Sequence, residues 1–395
     1  RRMTARAGSV GDTGGAAMTV RGRSGVNSTL LRQDRFARAA WSRLAEPGDP
    51  RAAELVSRLG PVGALGLVLD GADEAVAAYL GRAEQLDVER DLEIGARYGA
   101  RIVCPGDDDW PRGLDDLAVP PHCLWVRGPA PLEELATRSV SVVGARASTA
   151  YGEHVATDFG AGLADRGYTV VSGAAFGIDA AAHRGALAVG GSTIAVLAGG
   201  VERPYPRAHS TLIEHVARSG AVLAEVAPGC APTRSRFLQR NRLIATMTLG
   251  TVVVEAGLRS GSLNTARCAA EHGRPVGVVP GQITSMSSAG CHQARRDGYA
   301  ELVTDVAEIV DLLGAIGVDA APRRSAPVLP EDSLDPDARH VLGALPRRKG
   351  ASLSVLARCA GMAETTVLSC LGRLEVIGLA TREGEVWRQR ARPCQ

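Results

Sequence analysis

Four glycine-rich segments carry small or positively charged residues where chemistry with an anion is possible. They are Gly144-Ala145-Arg146, residues 172–177 (SGAAFG), Gly199-Gly200 and residues 259–262 (RSGS). Glycine lets a backbone approach an anion closely, and the free N–H groups at the beginning of a helix attract negative charge. We therefore predict an anion-binding edge built from these loops, although any single one of them also fits an ordinary tight turn.

The segment 234–242 (RSRFLQRNR) contains four arginines, one phenylalanine and no acidic residue. Guanidinium groups that hold phosphates, with an aromatic ring on which a base can stack, are typical of single-strand nucleic-acid binding. A solvated helix face is the alternative. Because no carboxylate stands nearby in the sequence to neutralise the arginines, we favour the binding interpretation.

The residues that would indicate a nucleotide cofactor or catalysis are absent or scattered. The dinucleotide fingerprint G-x-G-x-x-G needs a second glycine where Arg146 stands, and the Gly-Lys-Ser/Thr of a P-loop is missing. The acidic and histidine candidates form no Ser/His/Asp or paired-carboxylate pattern; they are Asp179, His183, Glu225 and Glu255. The eight cysteines lack metal-ligand spacing. We expect no enzymatic activity, no cofactor and no metal.

The elements that must position these loops follow from six short apolar runs. They are residues 139–144, 168–173, 192–200, 221–226, 251–256 and 275–281. Strands that are apolar throughout and alternate with helices indicate a parallel sheet covered on both faces. We predict an α/β fold with a Rossmann-like doubly wound parallel sheet, in which ligands bind beyond the carboxyl ends of the strands.

The flanking regions differ in composition from this core. A Gly/Arg/Ser-rich start predicts disorder, helical spacing broken at proline and glycine predicts a small helical domain, and an Ala/Pro-rich stretch predicts a linker. Three short helices and a hairpin then predict a C-terminal winged helix. The predicted domains are a disordered tail 1–30, a helical (SAM/HhH-like) domain 31–105, a Rossmann-like DNA-binding domain 106–314, a linker 315–334 and a winged helix 335–390.

Bulk composition limits the choice of partner and compartment. The formal net charge is only +2, so a polyanion must be held by a local patch, and Lys349 is the single lysine of the 395 residues. No apolar run reaches the length of about 18 residues that a membrane span needs, and no signal-peptide core is present. Scattered cysteines fit a reducing compartment. We expect a cytoplasmic protein without a membrane span.

Taken together, the motifs resemble the DNA-processing protein A, or Smf, family. The similar strings are VSVVGARASTAYG, VVSGAAFGIDAAAHRGAL, TIAVLAGGVERPYP, GCHQARRDGYAELVTD and a long one from Arg236 to Gly281, all in order within residues 139–313. The resemblance implies a protein that binds and protects incoming single-stranded DNA, helps load the RecA recombinase in natural transformation and recombination, and forms a homodimer.

The resemblance also implies a DNA-binding site. Its residues are Gly144, Arg146, Gly173, Phe176, Gly177, Arg236, Phe237, Arg240, Asn241, Arg242, Ser260, Gly261 and Ser262. The sequence departs from the family pattern at Ala145, at residues 174–177 (AAFG) and at Leu238. We expect that replacing Arg146 and Arg242 together by alanine abolishes single-strand binding and leaves the fold intact.

Two other functions stay open at this point. Residues 249–255 (LGTVVVE) faintly resemble the glycine-threonine and glutamate of nucleotide-cleaving phosphoribohydrolases, although the preceding glycines of that group are missing. A winged helix is also typical of transcriptional regulators. Its expected recognition helix offers Arg373 but also Glu364, so we favour a protein-contact or accessory role for this domain.

Overall fold

The computed structural model describes residues 19–71, 73–314 and 330–390. The chain divides into two compact units, residues 1–321 and residues 322–395. We call them the main unit and the winged-helix unit.

The main unit is built on one sheet. Within the described residues its strands are β1 (Ala100–Val103), β2 (Leu124–Arg127), β3 (Ser139–Val143), β4 (Thr169–Ser172), β5 (Thr193–Leu197), β6 (Ala221–Ala224), β7 (Thr251–Val253), β8 (Val276–Val278) and β9 (Glu301–Leu302). Their spatial order is β1-β2-β6-β5-β4-β3-β7-β8-β9. Strands β3 to β9 pair in parallel, whereas β2 pairs antiparallel with both β1 and β6.

Helices surround this sheet. They are α1 (Thr19–Leu44), α2 (Pro50–Asp70), α3 (Ala77–Ala83), α4 (Val88–Arg97), α5 (Leu132–Thr137), α6 (Ala150–Asp165), α7 (Ile178–Ala188), α8 (Ser210–Ser219), α9 (Arg234–Thr246), α10 (Gly261–Glu271), α11 (Ala289–Arg296) and α12 (Val306–Leu313). On strand β3, Val142 belongs to one buried cluster and Val143 to another, so both faces of the sheet are covered. The predicted Rossmann-like doubly wound sheet is thereby confirmed.

The winding direction reverses between β3 and β7. From β3 the chain proceeds through β4 and β5 to β6 on one side, then returns to place β7, β8 and β9 on the other. Helices that leave neighbouring strands in opposite directions open a crevice at such a point, and ligands of open α/β sheets bind there. The loops after β3 and β7 therefore border the position where a ligand is expected.

The N-terminal helices pack on the sheet and share a core with it. One buried cluster joins Trp41 and Leu44 of α1 to Ala195 and Leu197 of β5. The sheet already begins at Ala100, a few residues before the boundary predicted at 105, because β1 pairs with β2. The helical region is thus the cover of one sheet face.

Two stretches differ from the expected pattern. Helix α1 begins at Thr19, so residues 19–30 are helical where we expected disorder. The reason is that a helix nucleated at the buried segment from Ala37 to Leu44 extends by adding one hydrogen bond per residue. Residues 1–18 lie outside the described range. Residues 315–329 of the predicted linker also lie outside it, and Pro330–Ser333 form a 3-10 turn.

Helix α2 is long and apolar enough to cross a membrane by length and composition. It bends at Gly60, whose φ of 70° interrupts the helix before Pro61, as the sequence predicted. Each half is shorter than a membrane span, and Leu55 and Leu65 on the two halves are buried in the fold. These features are those of a kinked helix that packs one side against the fold.

The winged-helix unit has its own core. It contains α13 (Pro336–Ala344), β10 (Ala351–Ser352), α14 (Leu353–Ala360), α15 (Glu364–Val376), β11 (Ala380–Glu383) and β12 (Val386–Gln389). The three strands form one sheet in the order β10-β12-β11. Three helices and a β-hairpin around buried Val367, Leu371 and Trp387 confirm the predicted winged helix.

Candidate DNA-binding cleft

A cleft of about 460 Å³ lies at the winding reversal between β3 and β7. Three of the predicted glycine-rich loops meet there: those after β3, β4 and β7. Its lining includes Gly144, Arg146, Ala175, Asp179, Phe237, Arg240, Asn241, Gly257, Arg259, Ser260, Gly261, Ser262 and Thr265. The fourth loop is not part of it, because β5 lies two strands away and the N–H of Gly200 donates to Cys230 O at 2.9 Å.

Arg240 lies at the floor of the cleft and is 6% exposed. Its guanidinium has no hydrogen bond or ion pair within the described part of the chain, and its Nε is fully buried without a partner. Burial lowers the pKa of Arg240 to about 10; Asp179 opposes this shift and Arg146 adds to it. Burying a cation whose hydrogen-bond donors have no partner costs free energy, so an anion that binds this guanidinium would be stabilised.

Gly173 makes room for that guanidinium. A Cβ at this position would lie 2.5 Å from Arg240 Nη2 and still closer to Cζ and Nη1. Glycine is therefore required at the end of β4 for Arg240 to reach the floor of the cleft. The sequence assigned both residues to the site, and the structure brings them into contact.

Asp179 fixes the loop that follows Gly173. Its carboxylate accepts hydrogen bonds from the N–H groups of Gly173 at 3.2 Å and Ala175 at 3.3 Å. Between them, Ala174 adopts a φ of 54°, a conformation that costs a non-glycine residue energy unless its surroundings hold it. Burial raises the pKa of Asp179, and Arg240 opposes that rise. Asp179, considered above as a catalytic candidate, is instead used to shape this loop.

The aromatic ring of Phe237 borders one side of the cleft. The guanidinium of Arg146 lies over the ring of Phe237, 4.8 Å from its centroid, and the ring of Tyr205 lies 5.5 Å from that of Phe237. Arg146 is exposed and Tyr205 is 47% exposed. Arg146 and Phe237 therefore form an accessible stacking platform, while no sequence signal pointed to Tyr205, which is 32 positions away.

Phe176 and Gly177 take different positions from the rest of the site. Phe176 is 48% exposed and packs edge-on against His209, with ring centroids 4.7 Å apart, and it does not line the cleft. Gly177 has a φ of 75°, and a Cβ there would lie 2.7 Å from Arg146 O. Gly144 is equally constrained, since its Cβ would collide with Ile178. The two glycines hold the loops after β3 and β4 together.

Helix α10 points its N-terminus into the cleft. Ser260 caps the helix by accepting from Ser262 N at 3.3 Å, and its Oγ lies 2.7 Å from Ser262 Oγ. Asn241 donates from Nδ2 to Gly261 O at 3.3 Å. The helix dipole places partial positive charge here, beside Arg240. The predicted Ser-Gly-Ser turn is therefore positioned for an anion.

Two predicted site arginines are neutralised by carboxylates from elsewhere in the chain, so the inference that the arginines of segment 234–242 lack acidic partners is wrong for these two. Arg236 donates to Glu46 at 2.9 and 3.0 Å, and Arg242 donates to Glu225 at 2.5 Å. Both acids are distant in sequence and become neighbours only through folding. Burial raises the pKa of Glu225 while Arg242 opposes the shift. Arg242 cannot be removed without leaving Glu225 buried and unpaired.

The remaining catalytic candidates also have structural partners. Glu255 accepts from Thr149 N at 2.9 Å and from Thr149 Oγ1 at 2.6 Å, at the beginning of α6. His183 is buried with its Nδ1 2.7 Å from Thr193 Oγ1, and burial lowers its pKa to about 3. In the described ranges, no group of three or more His, Cys, Asp and Glu residues could hold a metal ion.

Comparison with known proteins gives a consistent result. A family model for DNA recombination-mediator protein A matches residues 101–314. A Mycobacterium tuberculosis (strain CDC 1551 / Oshkosh) protein described as a DNA processing protein DprA is 46% identical over 367 residues, 88% of this chain and 93% of that protein. Protein Smf of Escherichia coli (strain K12) is 41% identical over 213 residues, 53% of this chain and 56% of that protein.

A solved structure is similar as well. The X-ray structure of DNA processing protein A from Streptococcus pneumoniae is 31% identical in sequence and covers 72% of this chain and 98% of that chain, with a TM-score of 0.61.

Proposed function

The chain belongs to the DNA recombination-mediator protein A family, and on this premise we propose that the cleft at the winding reversal binds the backbone of single-stranded DNA. The observation that carries the proposal is Arg240, a buried guanidinium with unused donors at the floor of the cleft. A phosphate in the cleft would accept from Arg240 and would face the N-terminus of α10. Both groups stabilise negative charge.

Preference for a single strand follows from the ring of Phe237 at the cleft. Phe237, with Arg146 on its face, offers a surface on which a base can stack. Such stacking needs a base that is not already paired and stacked in a duplex, and it tolerates any sequence. The proposal is therefore sequence-independent binding of unpaired strands.

The test is the substitution Arg240→Met, which keeps the long side chain and removes the charge. A lost charge-assisted hydrogen bond weakens binding by about 1.5–3 kcal/mol, roughly 10- to 150-fold in Kd. The matched control is Arg184→Ala, which removes an exposed arginine from α7. Fluorescence anisotropy with oligo-dT measures both variants. Equal affinity of R240M and the unaltered protein would show that the cleft is not the binding site.

Membership of the family supports two further roles, protection of single-stranded DNA and loading of the RecA recombinase. Nuclease digestion of bound oligo-dT tests the first, with R240M expected to protect less. The lag before RecA forms filaments on DNA coated by a single-strand-binding protein tests the second. An unchanged lag at saturating protein would contradict recombinase loading, whatever the outcome of the binding assay.

Assembly and location are also proposed. The edge strand β9, with Leu302 49% exposed, supports a homodimer, which light scattering on the purified protein would detect. The seven cysteines in the described ranges are unpaired, which supports a reducing cytoplasm, and cell fractionation would test that location. A monomer, or a protein in the envelope fraction, would contradict these proposals.

The alternative, a nucleotide-cleaving phosphoribohydrolase, has less support. Its glutamate would be Glu255, which is hydrogen-bonded to Thr149. Its glycine would be Gly250, which does not open into a cleft because a Cβ added there would lie 2.5 Å from Pro275 O. We propose that the chain is not an enzyme of this kind. Release of free base from nucleoside monophosphates, measured by chromatography, would restore the alternative.

A further inference from the structure

Three consecutive cations stand out in the winged-helix unit. Arg347, Arg348 and Lys349 lie in the loop between α13 and β10, and all three are exposed. None of them has a hydrogen bond or ion pair within the described ranges, whereas Arg373 and Arg388 of the same unit are paired with acids. The loop therefore carries three charges that no residue described in this unit neutralises.

Strand pairing holds the beginning of this loop against β12. Gln389 donates from its backbone N to Pro346 O at 2.9 Å, and Arg390 donates from its backbone N to Leu379 O at 3.0 Å. Arg390 faces the other neighbour of β12, because a Cβ at Gly378 would lie 3.7 Å from its Nη1. We call the three cations Arg347, Arg348 and Lys349 the basic edge.

Helix α15, which occupies the position of a recognition helix, has the opposite character. Arg373 forms an ion pair with Asp335, and Glu364 and Glu375 are exposed. Exposed Leu368 and Val376 complete this face. A surface with paired cations, free acids and apolar side chains is unsuited to the phosphate-lined major groove.

We propose that the basic edge is a second nucleic-acid contact, which holds phosphates without reading sequence and leaves α15 unused. In the described part of the unit, the large exposed apolar side chains are Val355, Leu368, Val376 and Ile377, and all lie outside residues 346–352. A basic surface without apolar anchors fits a polyanionic backbone better than a protein interface, whose core is apolar or aromatic. This contact is independent of the cleft in the main unit.

The test compares two double variants of the full chain with the same change in composition. R347A/R348A removes charge from the basic edge, and R339A/R358A removes it from exposed positions on α13 and α14. Probes are oligo-dT of about 6 nucleotides, enough for one cleft, and of about 60 nucleotides, enough to reach both units. Affinity is measured by anisotropy between about 0.05 and 0.3 M salt.

For the long probe, R347A/R348A is expected to lower the slope of log K against log salt by about 1.4, since each lost single-strand phosphate contact contributes about 0.7. Extrapolated from 1 M salt, this corresponds to roughly 25-fold weaker binding at 0.1 M. The control R339A/R358A should show the same slope as the unaltered protein. R347K/R348K should keep most of the affinity because the charge remains. The short probe should bind all these variants equally.

An unchanged slope, or an equal loss in R339A/R358A, would overturn the proposal. Weaker binding of the long probe by Leu368→Ala would also overturn it, because that result would place the nucleic-acid contact on α15. Binding of an acidic peptide such as poly-glutamate as tightly as DNA at equal salt would assign the basic edge to a protein. Failure of the cleft proposal is distinguishable, because it would appear as unchanged short-probe binding in R240M.

Discussion

Gly173→Ala tests the site by moving one charge without removing it. Gly173 does not adopt a positive φ, so alanine imposes no backbone strain. Its new methyl group would occupy the space of the Arg240 guanidinium, 2.5 Å from Nη2 where ordinary contact begins at 3.4 Å. Nη1 and Cζ lie closer still, so Arg240 must shift by about 2 Å, more than a hydrogen bond to a phosphate tolerates.

The expected size of the effect follows from that displacement. Loss of one charge-assisted hydrogen bond costs about 1.5–3 kcal/mol, so Kd for oligo-dT should rise roughly 10- to 150-fold. Stability should change little, because glycine-to-alanine substitution gains about 0.4–1 kcal/mol through the unfolded state and offsets part of the repacking around Arg240.

The assay is fluorescence anisotropy at constant salt, with urea unfolding to verify the fold. Gly81→Ala on α3 is the matched control, because a Cβ there has no heavy atom within 4 Å and its φ is ordinary. If G173A binds oligo-dT within about threefold of the unaltered protein while R240M is weakened, the position of the guanidinium is irrelevant and the reasoning from the cleft is refuted.

Three other substitutions separate binding from stability. Arg242→Ala should lower the free energy of unfolding by about 3–5 kcal/mol by leaving Glu225 buried and unpaired, and the pair of changes R242M/E225L should recover most of it in urea melts. Arg236→Ala should cost about 0.5–1 kcal/mol at neutral pH with unchanged oligo-dT affinity. Arg236 lowers the pKa of Glu46 below its usual 4.5, so the ion pair stabilises the fold fully above pH 4.5 and loses its effect as pH falls through the lowered pKa. The difference in stability between R236A and the unaltered protein should therefore be smaller in urea melts at pH 3 than at pH 7. Phe237→Leu should weaken oligo-dT binding by about 1–3 kcal/mol without a change in stability, and an unaltered Kd would exclude base stacking on this ring.

The double substitution of Arg146 and Arg242 needs a different interpretation from the one expected on sequence alone. Arg146 is exposed beside Phe237, so its removal bears on binding. Arg242 forms a buried ion pair with Glu225, so its removal bears on the fold. Weak binding by the double variant would therefore combine two causes, whereas R146A alone would report on the cleft.

Local pattern was sufficient for the secondary structure and for the fold class. Uncharged, valine-rich runs such as residues 139–144 and 168–173 became β3 and β4, because a strand buried on both faces has no solvent-exposed side on which charged residues could alternate. The break of α2 at Gly60 was equally visible, since a glycine before a proline does not continue a helix. The meeting of three glycine-rich loops at one cleft followed from the rule that strand ends of a parallel sheet share one edge.

The sequence by itself determined the sheet, the loops and the presence of arginines near one edge. Only the tertiary structure decided which arginines keep an unused charge. Glu46 and Glu225 neutralise Arg236 and Arg242 across long sequence separations, and Gly173 admits Arg240 to the floor of the cleft. Electrostatic free energy depends on distance and burial in the folded chain, and residue type alone specifies neither of these.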